Sequence, residues 1–450
     1  DNTVSLWRIE SGVYTCLGER ACAVGDGARD VRIRVSDGIA AVYFEDNRAD
    51  TSPYPKLELR LDGYTAGRFG VMLTGGTVSG LSVGEPAVYA GETYTNPVVT
   101  GADPDILYYD GTYYLYNRIS AGNAVFRVST SPDLVHWTAR QTVFWHTNTA
   151  ETHSYMSPNV FYHDGVFYMF YSALNKEGKE RVWYATATSP YGPFLPVHDQ
   201  KPLHEIAEIG GHPSRDDDGR LYMSFVRFGG GNHVWMEEVT MRDGVVTPVA
   251  GTATLAITPT EAYENDGYGL ISEGGVLYKH NGLYYMIYAS GHYKGHYGES
   301  YAVAEHILGP YTKYAYNEIL THNAAVDGVG DGIFIPSPDG KELFMVYHSH
   351  AALGKVEPRQ TCIDRVKFVP DENGGPDILT VCGPTTTPQP LPSDTLRGDM
   401  NGDGEVTVRD ALLLCRKLVD GAPYSGRGDM DRNGTNDAED IAALLVAISE

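Results

Sequence analysis

The chain has little cysteine, little positive charge and no long apolar run. Five cysteines occur in 450 residues, at Cys16, Cys22, Cys362, Cys382 and Cys415. So sparse and odd a set is not a disulfide framework and says little about redox compartment, although Cys16 and Cys22 could pair across a hairpin. Lysine and arginine total 34 against 58 aspartates and glutamates, giving a formal net charge of −24. Such a surface repels a nucleic-acid backbone or an anionic membrane, and suits a neutral partner such as carbohydrate. No apolar stretch reaches the length of a membrane span. The chain opens at Asp1 without a Met or a signal peptide, as expected of a mature form or a fragment.

What is abundant is tyrosine, with 32 residues, and glycine, with 51. Tyr-rich segments punctuated by Gly and Pro point to a mainly β chain with many tight turns. The length allows two or three domains. The middle of the chain repeats one pattern: an apolar strand, an Asp/Asn-Gly turn and an aromatic alternating strand. It appears in "DPDILYYDGTYYLYN", "SPNVFYHDGVFYMFYS", "HPSRDDDGRLYMSF", "EGGVLYKHNGLYYMIYAS" and "GDGIFIPSPDGKELFMVYHS". The turn glycines Gly111, Gly165, Gly219, Gly282 and Gly340 are 54, 54, 63 and 58 residues apart. That period suits a four-stranded blade, so five units predict a five-bladed β-propeller. The Asp/Asn-Gly pairs fit type I′ hairpins, and Asp216, Asp217 and Asp218 read as part of such a turn.

Four segments follow. Residues 1–88 alternate as short strands and look like a partial, concanavalin-like β-sandwich, expected to be truncated at its start because so few strands leave edges unpartnered. Residues 89–384 form the propeller. Residues 385–396, rich in Pro, Thr and Ser, read as a short stiff linker. Residues 397–450 carry helical patterns after two acidic loops.

Those loops, "DMNGDGEVTVRD" and "DMDRNGTNDAED", start thirty residues apart. Oxygen side chains fall at positions 1, 3, 5 and 12: Asp399, Asn401, Asp403 and Asp410, then Asp429, Asp431, Asn433 and Asp440. Gly404 and Gly434 sit at position 6, where a calcium loop turns sharply. Each loop precedes an apolar helix, while "SDTLRG" is too short to supply the leading helix of a calcium-sensor pair. The duplicated loop-helix unit resembles a type I dockerin. The resemblance implies two calcium sites and docking to a cohesin module of a cellulosome-type scaffold. It also places partner choice at loop positions 10 and 11, here Val408 and Arg409, then Ala438 and Glu439.

In a propeller the first strand of each blade lines the central cavity, so carboxyls at its start converge. Blade one offers Asp103 and blade four offers Glu273. Two facing carboxyls are the minimum for glycoside hydrolysis, one as base on water and one as acid to the leaving oxygen. Residues 94–384, through "NPVVTGADPDILYYDGTYYLY", "STSPDLVHW", "ATSPYGPF" and "YAVAEHILGPYTKY", resemble glycoside hydrolase family 43. The resemblance implies a secreted, inverting enzyme on arabinose- or xylose-containing polysaccharide, with Asp103 as general base and Glu273 as general acid. It implies Arg359 and His212 as substrate-binding residues. Two positions depart from the family pattern. Gly210 stands where a third carboxylate would orient the acid and tune its acidity, which predicts a mis-tuned Glu273 and weak turnover. Asp331 stands where a histidine is usual, and as a hard oxygen ligand it leaves room for a cation on the propeller axis. Glu208 and Asp331 are the candidates to replace the missing carboxylate. The competing readings are a carbohydrate-binding propeller without turnover and a calcium-regulated scaffold module.

Overall fold

The five turn signals become five hairpins, each the inner half of an antiparallel sheet whose strands follow in chain order. The computed structural model describes residues 3–10, 13–21, 30–36, 39–45 and 57–60, then residues 92–449 except 119–124, 146–149, 197–200, 324, 372–373, 395, 403 and 423. The blades run from Ala102–Tyr109 to Gln141–Trp145, Met156–His163 to Leu195–Pro196, Glu208–Arg215 to Val245–Pro248, Ser272–His280 to Thr312–Lys313, and Gly330–Pro336 to Ile378–Val381. This is the mainly β, five-bladed propeller expected. Asp110-Gly111, Asp164-Gly165 and Asn281-Gly282 have positive φ at both residues, the type I′ geometry. Blades three and five differ. Only Gly219 and Gly340 are left-handed there, and each closes a wider loop by donating its N–H to the carbonyl of Asp216 or Ser337. The type I′ expectation fails in these two because their loops are longer than two residues. Asp216 accepts from Lys279 and Tyr284 of the next blade, so the aspartate run turns the chain and ties two blades together.

Five apolar clusters fill the seams between neighbouring blades. Phe126, Phe144, Tyr155, Tyr171 and Trp183 pack between blades one and two. Phe170, Val182, Met223 and Phe225 fill the next seam, then Tyr222, Val234, Met286 and Tyr288. Tyr285, Tyr301, Met345 and Tyr347 follow, and Tyr113, Leu115, Phe344 and Val346 close the circle between blades five and one. Tyrosine serves here because a seam needs bulk while its end needs a donor. The hydroxyls of Tyr113, Tyr116 and Tyr285 reach the carbonyls of Pro336, Pro190 and Asp377 at 2.7–2.8 Å.

The ring is closed by backbone. Val99–Thr100, just ahead of blade one, pairs antiparallel with Gln360–Val369 of blade five. Gly101 N–H donates to Arg359 O at 2.9 Å and Val98 N–H to Thr361 O at 3.0 Å. Asn96, buried, adds side-chain bonds to Ile363 N–H and O.

At the N-terminal end, Thr3–Glu10 pairs with Val13–Ala21, and Asp30–Ser36, Ile39–Glu45 and Leu57–Arg60 form a second sheet. The strands expected in residues 67–83 lie outside the described residues. Cys16 is opposite Trp7 on a strand that runs on to Ala21. Cys16 is a free thiol, and Cys22, the partner expected for it, lies outside the described residues.

The Pro/Thr/Ser segment expected as a linker lies along the propeller. Gln389–Pro390 pairs with Thr93–Tyr94. Arg365 donates to Pro390 O and Leu391 O, and Ser393 binds Asp339 and Glu342. It leads into helices α1 (Val408–Val419) and α2 (Ala438–Ser449), which pack through Ala411, Leu414 and Leu444. No described helix is long and apolar enough to cross a membrane. This helical unit sits on the Asp110-Gly111 turn of blade one. Gly426 N–H donates to Thr112 Oγ1 at 2.9 Å. Arg432 and Arg397 pair with Asp133 at 3.2 and 3.8 Å.

Asp133 is 1% exposed and also accepts from His136 and from the N–H groups of Val135 and His136. Burial opposes its ionisation, but these bonds win and bring it down to about 2. Asp133→Ala removes a shared carboxylate from Arg397 and Arg432, which keep Asp394 and Glu92 as partners, and should lower stability by about 2 kcal/mol, read by thermal unfolding at neutral pH. The depressed acidity makes this contribution complete above pH ~4, fading as pH falls towards about 2. The gap between wild type and variant should close over that window, and a gap independent of pH would contradict the assignment.

Candidate active site

Every inner strand begins with the same defect. The ladder skips a residue between Ala102 and Asp105, Met156 and Asn159, Ile209 and His212, Glu273 and Val276, and Gly330 and Ile333. Two residues then oppose one, which is a bulge that re-aims side chains at a strand end. The first bulge residue is left-handed in all five blades: Asp103 at φ 51°, Ser157 at 49°, Gly210 at 65°, Gly274 at 64° and Asp331 at 60°. These are equivalent positions, one per blade, around the axis. Glu273 immediately precedes its blade's bulge residue.

Asp103 is 6% exposed. Its Oδ2 accepts from Arg118 Nε at 3.0 Å and from Ser157 N–H at 3.3 Å, and its Oδ1 from Arg359 Nη1 at 3.0 Å. Burial works against the charge, but the two guanidiniums hold this carboxyl well below the usual carboxylate range. Its N–H donates to His348 Nδ1 at 3.3 Å. Arg359 is 3% exposed and rests over the Tyr293 ring at 5.0 Å. It is therefore bound to Asp103 through one of its donors, and is not a surface strand-edge pair.

Glu273 is partly exposed to the cavity. Its Oε1 accepts from Tyr297 OH at 2.9 Å and its Oε2 from Asn232 Nδ2 at 3.1 Å. Burial outweighs these bonds, and the Asp103 charge adds to it, so Glu273 is raised above its ordinary value. The loop entering this strand is pinned by Glu264. That residue is fully buried and accepts from Lys313 at 2.6 Å and from Thr260 N–H, Glu261 N–H and Ser272 Oγ. Tyr297 stacks on His348 at 5.7 Å, which joins the surroundings of the two carboxyls.

His212 Nδ1 meets the Asn159 amide at 2.9 Å, and that amide also donates to Asp105 Oδ1 at 2.9 Å. Burial lowers His212 to about 4 and raises Asp105 to about 7. A neutral His212 thus stands at the end of a chain running across blades one, two and three. A Cβ built on Gly210 would meet nothing nearer than His212 Nε2, at 4.0 Å, so the position of the expected carboxylate is open space. Glu208 is fully buried and bound to His204 at 2.7 Å and Arg227 at 3.4 Å, an ion network with Glu237 inside blade three.

Asp103, Asp331 and His348 bring ligand atoms within 4.8 Å of one another. The group does not fit an axial cation. Arg118 and Arg359 already neutralise Asp103, and Arg359 Nη1 lies 3.1 Å from His348 Nε2. The acidic loops do fit a hard cation. Asp429, Asp431 and Asp440 bring carboxylate oxygens within 4.8 Å of one another, with Asp429 and Asp440 fully buried. Backbone N–H groups of Asn433 and Gly434 aim the Asp429 carboxylate. In the first loop Asp399 and Asp410 are buried and aimed in the same way, Asn401 is exposed, and Asp403 lies outside the described residues.

Residues missed in the sequence are Arg118, Asn159, Asn232, Tyr297 and His348. Arg118 was within reach: counting outward from the Asp110-Gly111 turn sets it opposite Asp103. The others come from different strands and blades, and no local spacing signals them.

Residues 94–373 match the family model for glycosyl hydrolases family 43, and residues 397–449 the type I dockerin domain. A β-D-galactofuranosidase of Aspergillus niger is 28% identical over 64% of this chain and 84% of its own length. A putative β-xylosidase of Xylanibacter ruminicola is 26% identical over 59% of this chain, which spans only 47% of that protein. A solved thermostable family-43 glycoside hydrolase is 35% identical with a TM-score of 0.61, covering 67% of this chain and 100% of its own.

Tyr297→Phe removes a donor that favours the ionised form of Glu273. The Glu273 carboxyl should then keep its proton to higher pH, by about one unit. Infrared titration of its protonated carboxyl band reads this, and an unchanged or lowered midpoint would contradict the hydrogen-bond assignment.

Proposed function

The chain belongs to family 43 of the glycosyl hydrolases, and from that premise we propose that it hydrolyses arabinose- or xylose-containing plant polysaccharide with inversion, Asp103 serving as base and Glu273 as acid. The observation that carries this is the contrast between the two carboxyls. One is held ionised by two guanidiniums, while burial pushes the other above its ordinary value. Pairs driven apart in this way divide the acid and base work between them. Asp103 takes a proton from water as its oxygen bonds to the anomeric carbon. The bond from that carbon to the leaving oxygen breaks, and Glu273 delivers its proton to that oxygen. Arg359 and Arg118 keep Asp103 aimed, while Arg359's remaining donors and His212 Nε2 would bind sugar hydroxyls. The sugar class follows the family resemblance and the xylosidase name of one relative. A propeller that binds sugar without turnover is not favoured, because both carboxyls are in place in a family of hydrolases.

We assign the C-terminal unit to docking on a cohesin module of a scaffold outside the cell. Support comes from the dockerin match and from the exposure of Val408, Arg409, Ala438 and Glu439. Asp399, Asn401, Asp403 and Asp410 would hold one calcium ion and Asp429, Asp431, Asn433 and Asp440 a second. Bound calcium would neutralise carboxylates that otherwise repel one another.

Two measurements test these assignments. Asp103→Asn and Glu273→Gln should each lower kcat by about 10³-fold or more on natural oligosaccharides, with proton NMR of wild-type product showing the inverted anomer. The acid limb of kcat/KM should lie below the usual carboxylate range and the alkaline limb above the ordinary glutamate value. Full activity in either variant would remove that residue's role. For the dockerin, calcium at about 100 times its Kd should raise the stability of residues 397–449 by about 2.7 kcal/mol per site. Calorimetry with and without a chelator reads this, and an unmoved transition would rule out calcium binding.

A further inference from the structure

Asp331 is a carboxyl at the cavity without a task in this mechanism. Its place follows from the five equivalent bulge positions, occupied in chain order by Asp103, Ser157, Gly210, Gly274 and Asp331. Blade three, where a third carboxylate was expected, presents only open space beside His212. Blade five presents a carboxyl where a histidine was expected. Because blade five closes on blade one, the Asp331 carboxylate comes within 4.8 Å of Asp103 and His348. On its other side, Asp331 Oδ1 lies 3.0 Å from where a Cβ on Gly274 would stand, next to Glu273. Asp331 is partly exposed, so it reaches the cavity itself. Glu208, the other candidate, is consumed by His204 and Arg227 inside blade three.

Resting on the family-43 reading, we propose that Asp331 is the third carboxyl of this site, moved from blade three to blade five around the ring of bulges, and that it acts through Glu273 as a positioning residue for the acid. The groups facing it are Asp103 and Arg118 from blade one, Glu273 and Glu299 from blade four, and Arg359 and His348 from blade five. Glu299 is fully buried and accepts from Gly332 N–H at 2.7 Å, so it fixes the bulge that carries Asp331. Burial, followed by the charges of Asp103 and Glu273, raises Asp331 to about 8. Carboxyls this close share protons instead of all ionising. With Asp103 held ionised by its guanidiniums, the proton stays on Asp331, and the charge coupling between Asp331 and Glu273 ties the state of one to that of the other.

The test is a leaving-group series in wild type, Asp331→Asn, and Asp331→Asn combined with Gly210→Asp. Both substitutions suit a left-handed backbone, which Asn and Asp tolerate better than other side chains. The substrates are methyl, 4-nitrophenyl and 2,4-dinitrophenyl glycosides of arabinofuranose, xylose and galactofuranose. A residue acting through the acid matters most where the leaving oxygen needs a proton. Asp331→Asn should therefore lose about 30-fold or more in kcat on the methyl glycoside and under about threefold on the dinitrophenyl one. The added Gly210→Asp should recover about tenfold of the methyl-glycoside loss. An equal loss on all leaving groups, no loss, or no recovery in the double variant would overturn the inference while the family reading stands. A wild type inactive on every substrate would overturn both.

Discussion

The site depends on how the ring is closed. Blade five is joined to blade one by the short pairing of Val99–Thr100 with Gln360–Val369, reinforced by Gly101 N–H on Arg359 O. That backbone bond sets Arg359 across the seam from Gly101, two residues ahead of Asp103. The guanidinium–carboxylate contact at 3.0 Å is thus a consequence of closure. Closure also brings Asp331 and His348 of blade five against Asp103. A propeller with the same blades but a looser seam would keep its strands and lose the charge arrangement that separates the two carboxyls.

The bulges are the second constraint. Five-fold repetition gives five equivalent inward-aimed positions, and chemistry requires that they not be equivalent. The chain breaks the symmetry with side chains. Asp103 is surrounded by donors, and Ser157 contributes only its N–H to Asp103. Gly210 and Gly274 contribute no side chain, and Asp331 adds a second carboxyl. Glu273 avoids the bulge position altogether. Standing one residue earlier, it receives its bonds from Asn232 and Tyr297, and among the described residues no guanidinium bonds to it.

Blade count, hairpin positions and the calcium-loop pattern could be read from the chain because each is a local, repeated signal. So could Asp103 and Glu273 as candidates, since the start of an inner strand is a known place in a repeat. The surroundings of those residues could not. Asn232, Tyr297 and His348 reach the cavity from strands and blades far away in sequence. Composition also misled in one place. Residues 385–396 look like a stiff spacer, but proline's missing donor also suits an edge segment, and Gln389–Pro390 pairs along the propeller while Arg365 holds the next carbonyls.

The bulge geometry bears on how a carboxyl can change blades. A left-handed backbone is costly for most side chains and tolerated by Gly, Asn and Asp. The five positions hold Asp, Ser, Gly, Gly and Asp, so four of the five residues come from that tolerant set. Exchange between Gly and Asp at such a position leaves the backbone alone and changes only charge and volume. A carboxyl lost from blade three and gained in blade five would therefore alter the electrostatics of the cavity without disturbing the frame that aims it. The same argument explains why no similar migration is open to Glu273. Its position before the bulge has ordinary strand geometry, and its bonds to Asn232 and Tyr297 belong to that blade's surroundings alone.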